Sequence, residues 1–127
     1  MRVPIAYEGK ETINNQFLEV GCLKWKPDEE FPIVWDFKFE KSVGRAGSLQ
    51  REDDGSVTAE VDMDSLADGA RALFTDVGTT LYASNVAAKD VNGVMHVISA
   101  RIRCLTFSPN IPWRNPPIDS SGEGVET

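Results

Sequence analysis

The sequence predicts a mainly β domain of the α+β class, with one or two helices and a sheet that closes, or partly closes, into a small barrel. Three observations carry this. Short apolar runs rich in β-branched and aromatic residues recur at 3–7, 17–25, 33–35, 56–63, 79–87 and 94–107. Two connections contain Asp54-Gly55 and Asn92-Gly93, the strongest short-range hairpin signals. Only one stretch, 64–74, changes to a helical period.

Each element has its own justification. Residues 3–7 form a strand, and the polar GKETINNQ that follows reads as a loop into a second apolar stretch at 17–25. Pro27 and Pro32 bracket a charged turn. Ile33, Val34 and Trp35 are continuously apolar, the mark of a strand covered on both faces or closing a small barrel. Gly44 and Gly47 suggest bends. The clearest hairpin joins 48–51 to 56–63, where Val57, Ala59, Val61 and Met63 alternate with polar residues, giving a buried and a wet face. In 64–74, Leu66, Ala70, Leu73 and Phe74 share a helical face behind Asp64 as N-cap, which predicts a helix of about three turns. Two β-rich arms, 79–87 and 94–107, follow around AKDVNG.

The predicted domain covers residues 1–107, a chain long enough to bury a core without metals or disulfides. Residues 108–127, SPNIPWRNPPIDSSGEGVET after Phe107, read as a Pro-rich extended arm and a mobile acidic tail. Within it Trp113, flanked by Pro112, Arg114 and Pro116, is a protein-contact candidate, because a large aromatic on an extended segment docks on its own domain or on a neighbour.

Hydrophobic residues make up 41% and charged residues 26%, too apolar a balance for a disordered chain. The net charge of −7 comes with scattered Lys and Arg, so no basic stripe exists to meet nucleic-acid phosphates. No run reaches the roughly 20 apolar residues of a membrane helix, and the first residues lack the apolar run of an export signal. Synthesis in the cytoplasm is therefore expected, with Cys22 and Cys104 as reduced buried thiols.

No cofactor or metal site is expected. Glu52, Asp53, Asp54, Asp62, Asp64 and Asp68 do not follow a calcium-loop spacing and read as a solvated turn and a helix cap. Trp35, Phe37 and Phe39 alternate with Asp36, Lys38 and Glu40, so in one strand the aromatics would share a face. Phe37 and Phe39 are accordingly further contact candidates.

The stretches IAYEG, GCLKW, FPIVWDFKFEKSVGRA, VTAEVDMD and LTFSPN, in this order across residues 3–115, resemble the prohead (head maturation) protease family of tailed phages. That family shares its fold with the herpesvirus assemblin proteases, a small β-barrel flanked by helices. The resemblance implies where catalytic groups should lie, and there the chain departs from the pattern. The base, a His ahead of Pro-Val-Gly-Arg, falls at Phe37 ahead of SVGR; the nucleophilic Ser falls at Tyr82 in TTLYASN; the acidic member falls near Arg101 in ARIRCLTFSP. Phenylalanine accepts no proton, and a phenol with a pKa of about 10 is a poor acyl-transfer nucleophile.

The expectation that follows is a non-catalytic virion protein, a pseudo-protease that decorates or cements the capsid by binding the major capsid protein. It would work as a trimer or dimer, without nucleic acid or membrane, in the virion capsid after synthesis in the host cytoplasm. Two alternatives stay open. One is a diverged active head maturation protease, using Ser84 with His96 or a residue at a shifted position, Ser42 and Ser99 being further serines that would each need a base within reach; the other is a capsid assembly scaffold or chaperone.

Overall fold

The longest strand organises the molecule. In the computed structural model, which describes residues 1–12, 15–74, 77–109 and 111, β8 (Val94–Ser108) carries partners on both edges. Along one edge β7 (Gly78–Val91) pairs antiparallel with it from Val91↔Val94 to Gly78↔Ser108. Along the other, three short strands lie parallel to it in succession: β2 (Gln16–Leu18) beside residues 95–97, β3 (Leu23–Lys24) beside 100–101, and β4 (Phe31–Trp35) beside 105–107. The chain thus climbs β8 in three steps.

From β4 the chain turns back into β5 (Lys38–Arg51), then β6 (Ser56–Val61), which pairs with β1 (Arg2–Tyr7). The sheet order is β1-β6-β5-β4-β8-β2, with β3 and β7 also on β8. The sheet curls until β1 comes back toward β7, so the mainly β expectation holds and the architecture is a curled half-barrel. Ile5, Phe31, Ile33, Val57, Leu105 and Phe107 fill its interior and are almost wholly buried.

Both glycine turns form as their dipeptides require. Asn92 and Gly93 take φ of 54° and 85° and close the β7–β8 hairpin in two residues, with Gly93 N donating to Asp90 Oδ1 at 2.8 Å. Gly55 (φ 91°) ends the β5–β6 turn, and a Cβ there would stand 2.8 Å from the Glu8 carbonyl oxygen. Ile33 and Val34 are both buried because β4 lies between β5 and β8, as a continuously apolar strand should. Cys22 and Cys104 are free and buried.

Four expectations change. The single helix of three turns is instead a 3-10 turn (Met63–Ser65) and a six-residue α1 (Asp68–Leu73). The cap is Asp62, whose side chain accepts from Asp64 N at 3.2 Å, rather than Asp64. Leu66 and Ala67 are extended between the two pieces, because Leu66 is buried against Gly44 and Ala67 N donates to Val43 O at 2.8 Å. Tertiary contact wins over local period there. The apolar stretch 17–25 splits into β2 and β3 around Gly21 (φ 84°).

The third change concerns β6, whose outward face is wet only at Glu60: Ser56 and Thr58 are buried between β1 and β5, and Thr58 Oγ1 donates to Glu52 Oε2 at 2.7 Å. The fourth is that Trp35, Phe37 and Phe39 do not share one strand, since the chain reverses at Asp36-Phe37. Of the predicted arm, β8 takes Ser108, and Ile111 packs on the core beside Gly78.

One buried ion pair ties the steps to the barrel. Glu8, 3% exposed, follows β1; its carboxylate accepts Arg51 Nε at 2.8 Å and Arg51 Nη2 at 3.1 Å, a bidentate pair. The same carboxylate accepts Gly21 N at 3.1 Å and Leu23 N at 3.0 Å, while Arg51 Nη2 donates to Leu23 O at 2.7 Å. The guanidinium also lies over the Trp25 ring, 4.5 Å from its centre. Burial by itself would raise the Glu8 pKa, but Arg51 and the Leu23 and Gly21 amides outweigh it and hold the carboxyl below its ordinary value. Next to this pair, burial and then the Glu8 charge push the Cys22 thiol up to about 12.

Because the Glu8 pKa is lower folded than unfolded, the stability it contributes is fully present above the unfolded value and is lost as pH falls through the folded one. Glu8→Gln should therefore lower the melting temperature at pH 7 and flatten the acid limb of the stability profile, checked by thermal unfolding between pH 3 and 7. The loss should lie near the lower end of roughly 3–5 kcal/mol, because the Arg51 side chain keeps contact with water. An unchanged pH profile would show that Glu8 does not titrate with folding.

Candidate functional site: an exposed aromatic patch

The β4–β5 connection is a two-residue turn in which Asp36 and Phe37 both have positive φ, 48° and 62°. Asp tolerates that region; a bulky aromatic enters it only when its surroundings hold it there. The holding contacts come from the end of β8. Asp36 N donates to Phe107 O at 2.7 Å, Phe37 N donates to Thr106 Oγ1 at 3.0 Å, and Ser108 Oγ meets Asp36 Oδ1 at 3.1 Å. The turn is pinned to the sheet by its backbone and its acid, leaving the Phe37 ring outward.

Phe37, Phe39 and Tyr82 are 40%, 52% and 45% exposed. The Phe37 and Phe39 rings meet edge-on with centres 6.3 Å apart, and Phe39 meets Tyr82 at 4.8 Å. The register explains the meeting. Thr106, beneath the Phe37 amide, and Cys104 share a face of β8 by strand alternation, and Tyr82 is directly opposite Cys104. Three neighbouring large aromatics, each about half in water, form an apolar surface, and the residues next to Phe39 in sequence, Lys38, Glu40 and Lys41, are exposed as well. Trp35 is on the other side of the turn, edge-on to the buried Phe107 at 6.4 Å.

The structure thus brings together Phe37 and Tyr82, the positions at which the resemblance puts the base and the nucleophile, with Phe39 between them. Arg101 stands apart, three residues along β8 from Cys104, donating to Glu29 Oε2 at 2.7 Å and to Ile102 O at 3.0 Å. Sequence reasoning gave Tyr82 a place only as a substituted serine. Its membership of the patch depends on strand register, which no local pattern shows.

The serine and histidine weighed as a dyad do not meet. Ser84 is opposite Arg101 and His96 is opposite Lys89, five residues further along the hairpin, about 17 Å. Ser84 Oγ accepts from Arg103 Nε. His96 pairs with Glu19 at 2.7 Å and stacks on Phe17 at 4.8 Å, anchoring β2 to β8. Ser42 Oγ donates to the Gly44 carbonyl at 2.9 Å.

A concavity of about 350 Å³ gathers Asp28, Glu29, Glu30, Glu60 and Asp62 around Arg45. Arg45 pairs with Asp62 at 3.1 Å and approaches Glu30 at 4.0 Å. Among the described residues no group of three or more His, Cys, Asp or Glu is placed to hold a metal ion. The contact candidates Pro112, Trp113, Arg114 and Pro116 lie outside the described residues.

The backbone of Phe37 gives a direct test of this account. Phe37→Gly places the residue best suited to a positive-φ turn position after Asp36 and should stabilise the fold by about 1 kcal/mol, measured by urea unfolding. A loss of stability would mean that ring contact outweighs backbone strain. No family model, no curated protein and no solved structure matches this chain.

Proposed function

We propose that the chain is a non-catalytic binding protein that decorates or cements the shell of a tailed-phage capsid, contacting the major capsid protein through the patch of Phe37, Phe39 and Tyr82. The observation that carries the binding part is the patch itself: half-exposed aromatics in mutual contact, at positions where a protease of the resembling family would keep polar catalytic groups. Large aromatics are the residues on which protein interfaces concentrate their energy, since they bury much area at small entropic cost. The capsid part rests on the resemblance of the sequence stretches. Repetition over a symmetric shell lets a modest single contact suffice.

Purified mature particles should contain the intact chain in a fixed ratio to the major capsid protein, read by gel densitometry and mass spectrometry. Absence from mature particles would point to a scaffold or a protease that leaves. With the double variant Phe39→Ser/Tyr82→Ser, added back to particles lacking the protein, occupancy at limiting concentration should fall about tenfold or more, the effect of losing at least 1.4 kcal/mol of binding. Unchanged occupancy would remove the patch from the contact.

A further inference from the structure

We propose that Asn92, at the tip of the β7–β8 hairpin, is a site of spontaneous modification, deamidation through a cyclic imide, and that the Asp90 carboxylate restrains the reaction. This rests on the hairpin alone and not on the capsid reading.

The chemistry begins with the residue types. Asn92 is the one asparagine of the chain that precedes a glycine. In deamidation the backbone nitrogen of the following residue loses its proton and bonds to the asparagine Cγ, the Cγ–Nδ2 bond breaks, and ammonia leaves. Water then opens the five-membered imide at either carbonyl, giving aspartate or isoaspartate. Water is the only co-reactant. A side chain on the following residue crowds the closing ring, and glycine has none. Asn85, by contrast, precedes the β-branched Val86.

The turn combines access with restraint. Asn92 and Gly93 are exposed, and a Cβ on Gly93 would meet nothing within 4 Å. Water therefore reaches the site, and a ring has room to form. The reacting nitrogen, however, is engaged: Gly93 N donates to Asp90 Oδ1 at 2.8 Å. That bond opposes the reaction in two ways. The nitrogen has to leave the carboxylate before it can approach Asn92 Cγ, and hydrogen bonds to charged acceptors are the stronger kind. It also has to lose its proton, and a negative charge beside it makes the resulting anion more costly. The ladder adds to this by pairing Val91 with Val94 across the turn, with Asn92 and Gly93 held at φ of 54° and 85°. The turn is reactive in composition and restrained in geometry.

Modification would act on the hairpin through its backbone. Isoaspartate carries an extra main-chain methylene, so the connection from Val91 to Val94 would lose the length of a two-residue turn. Aspartate would place a second negative charge two positions from Asp90. Tyr82 is nine residues back along β7 from Val91, roughly 30 Å, so the aromatic patch stands clear of either change.

Incubation of the full-length protein at pH 8 and 37 °C, with the site read by peptide mapping and mass spectrometry for amide-to-acid conversion and for isoaspartate, tests the proposal. Asn92 should convert more slowly in the protein than in a free peptide of residues 87–97. Asp90→Ala should speed conversion in the protein about tenfold, the factor that matches loss of one exposed hydrogen bond to a charged group. Lys89→Ala, a change in the same strand that leaves the Gly93 bond in place, should keep the original rate. Equal rates for protein and peptide would overturn the restraint, and an unchanged or slower rate in Asp90→Ala would overturn the role of Asp90. Equal acceleration by Lys89→Ala would assign the effect to fraying of the hairpin instead. Absence of conversion in both the peptide and Asp90→Ala would overturn the site itself. The particle experiments read occupancy through a distant surface, so their outcome is independent of this one.

Discussion

The fold depends on one interaction across 43 positions of sequence, the bidentate Glu8–Arg51 pair. A curled sheet has a weak place wherever a strand is too short to hold itself, and here β2 and β3 have three and two residues. Glu8 solves this by accepting from the backbone at Gly21 and Leu23, while Arg51 donates to the Leu23 carbonyl. One carboxylate and one guanidinium thus close the backbone requirements of a turn that a ladder does not reach. The pair costs desolvation, offset because every carboxylate oxygen has partners and the guanidinium also rests on Trp25.

With that anchor in place, β8 can serve as a spine. Each short parallel step is fixed by a side-chain contact: Glu19 with His96 beside β2, Glu8 at β3, and Glu29 with Arg101 between β3 and β4. The acidic character of 19–30 is therefore partly structural. The end of β8 then holds the Asp36-Phe37 turn in a conformation Phe does not choose alone, and the aromatic surface follows from that restraint.

What could be read from the sequence was local. Asp54-Gly55 and Asn92-Gly93 announce their hairpins through backbone conformations that those residues favour, and Ile33-Val34 announces a strand buried on both faces. What stayed hidden was non-local. Nothing within 17–25 says that the run breaks at Gly21 and lies parallel to a strand 77 to 79 residues later, nor within 64–74 that Val43 O will claim the Ala67 amide. Asp36-Phe37 carries no glycine, so the alternation through 35–39 suggested a straight strand where there is a reversal. The aromatic character of the patch was visible at Phe37 and Phe39; its third member required the β7–β8 register.

The surroundings of Cys22 have a chemical consequence. Thiolate is the form that reacts with oxidants, metals and disulfides, and a thiol pushed up to about 12 is ionised at neutral pH in only about one molecule in 10⁵. Burial of the sulfur is the larger cause, and within the ion pair the Glu8 carboxylate raises the thiol pKa while Arg51 opposes it. Buried at 1% exposure, the Cys22 sulfur is thereby held as the neutral thiol at neutral pH.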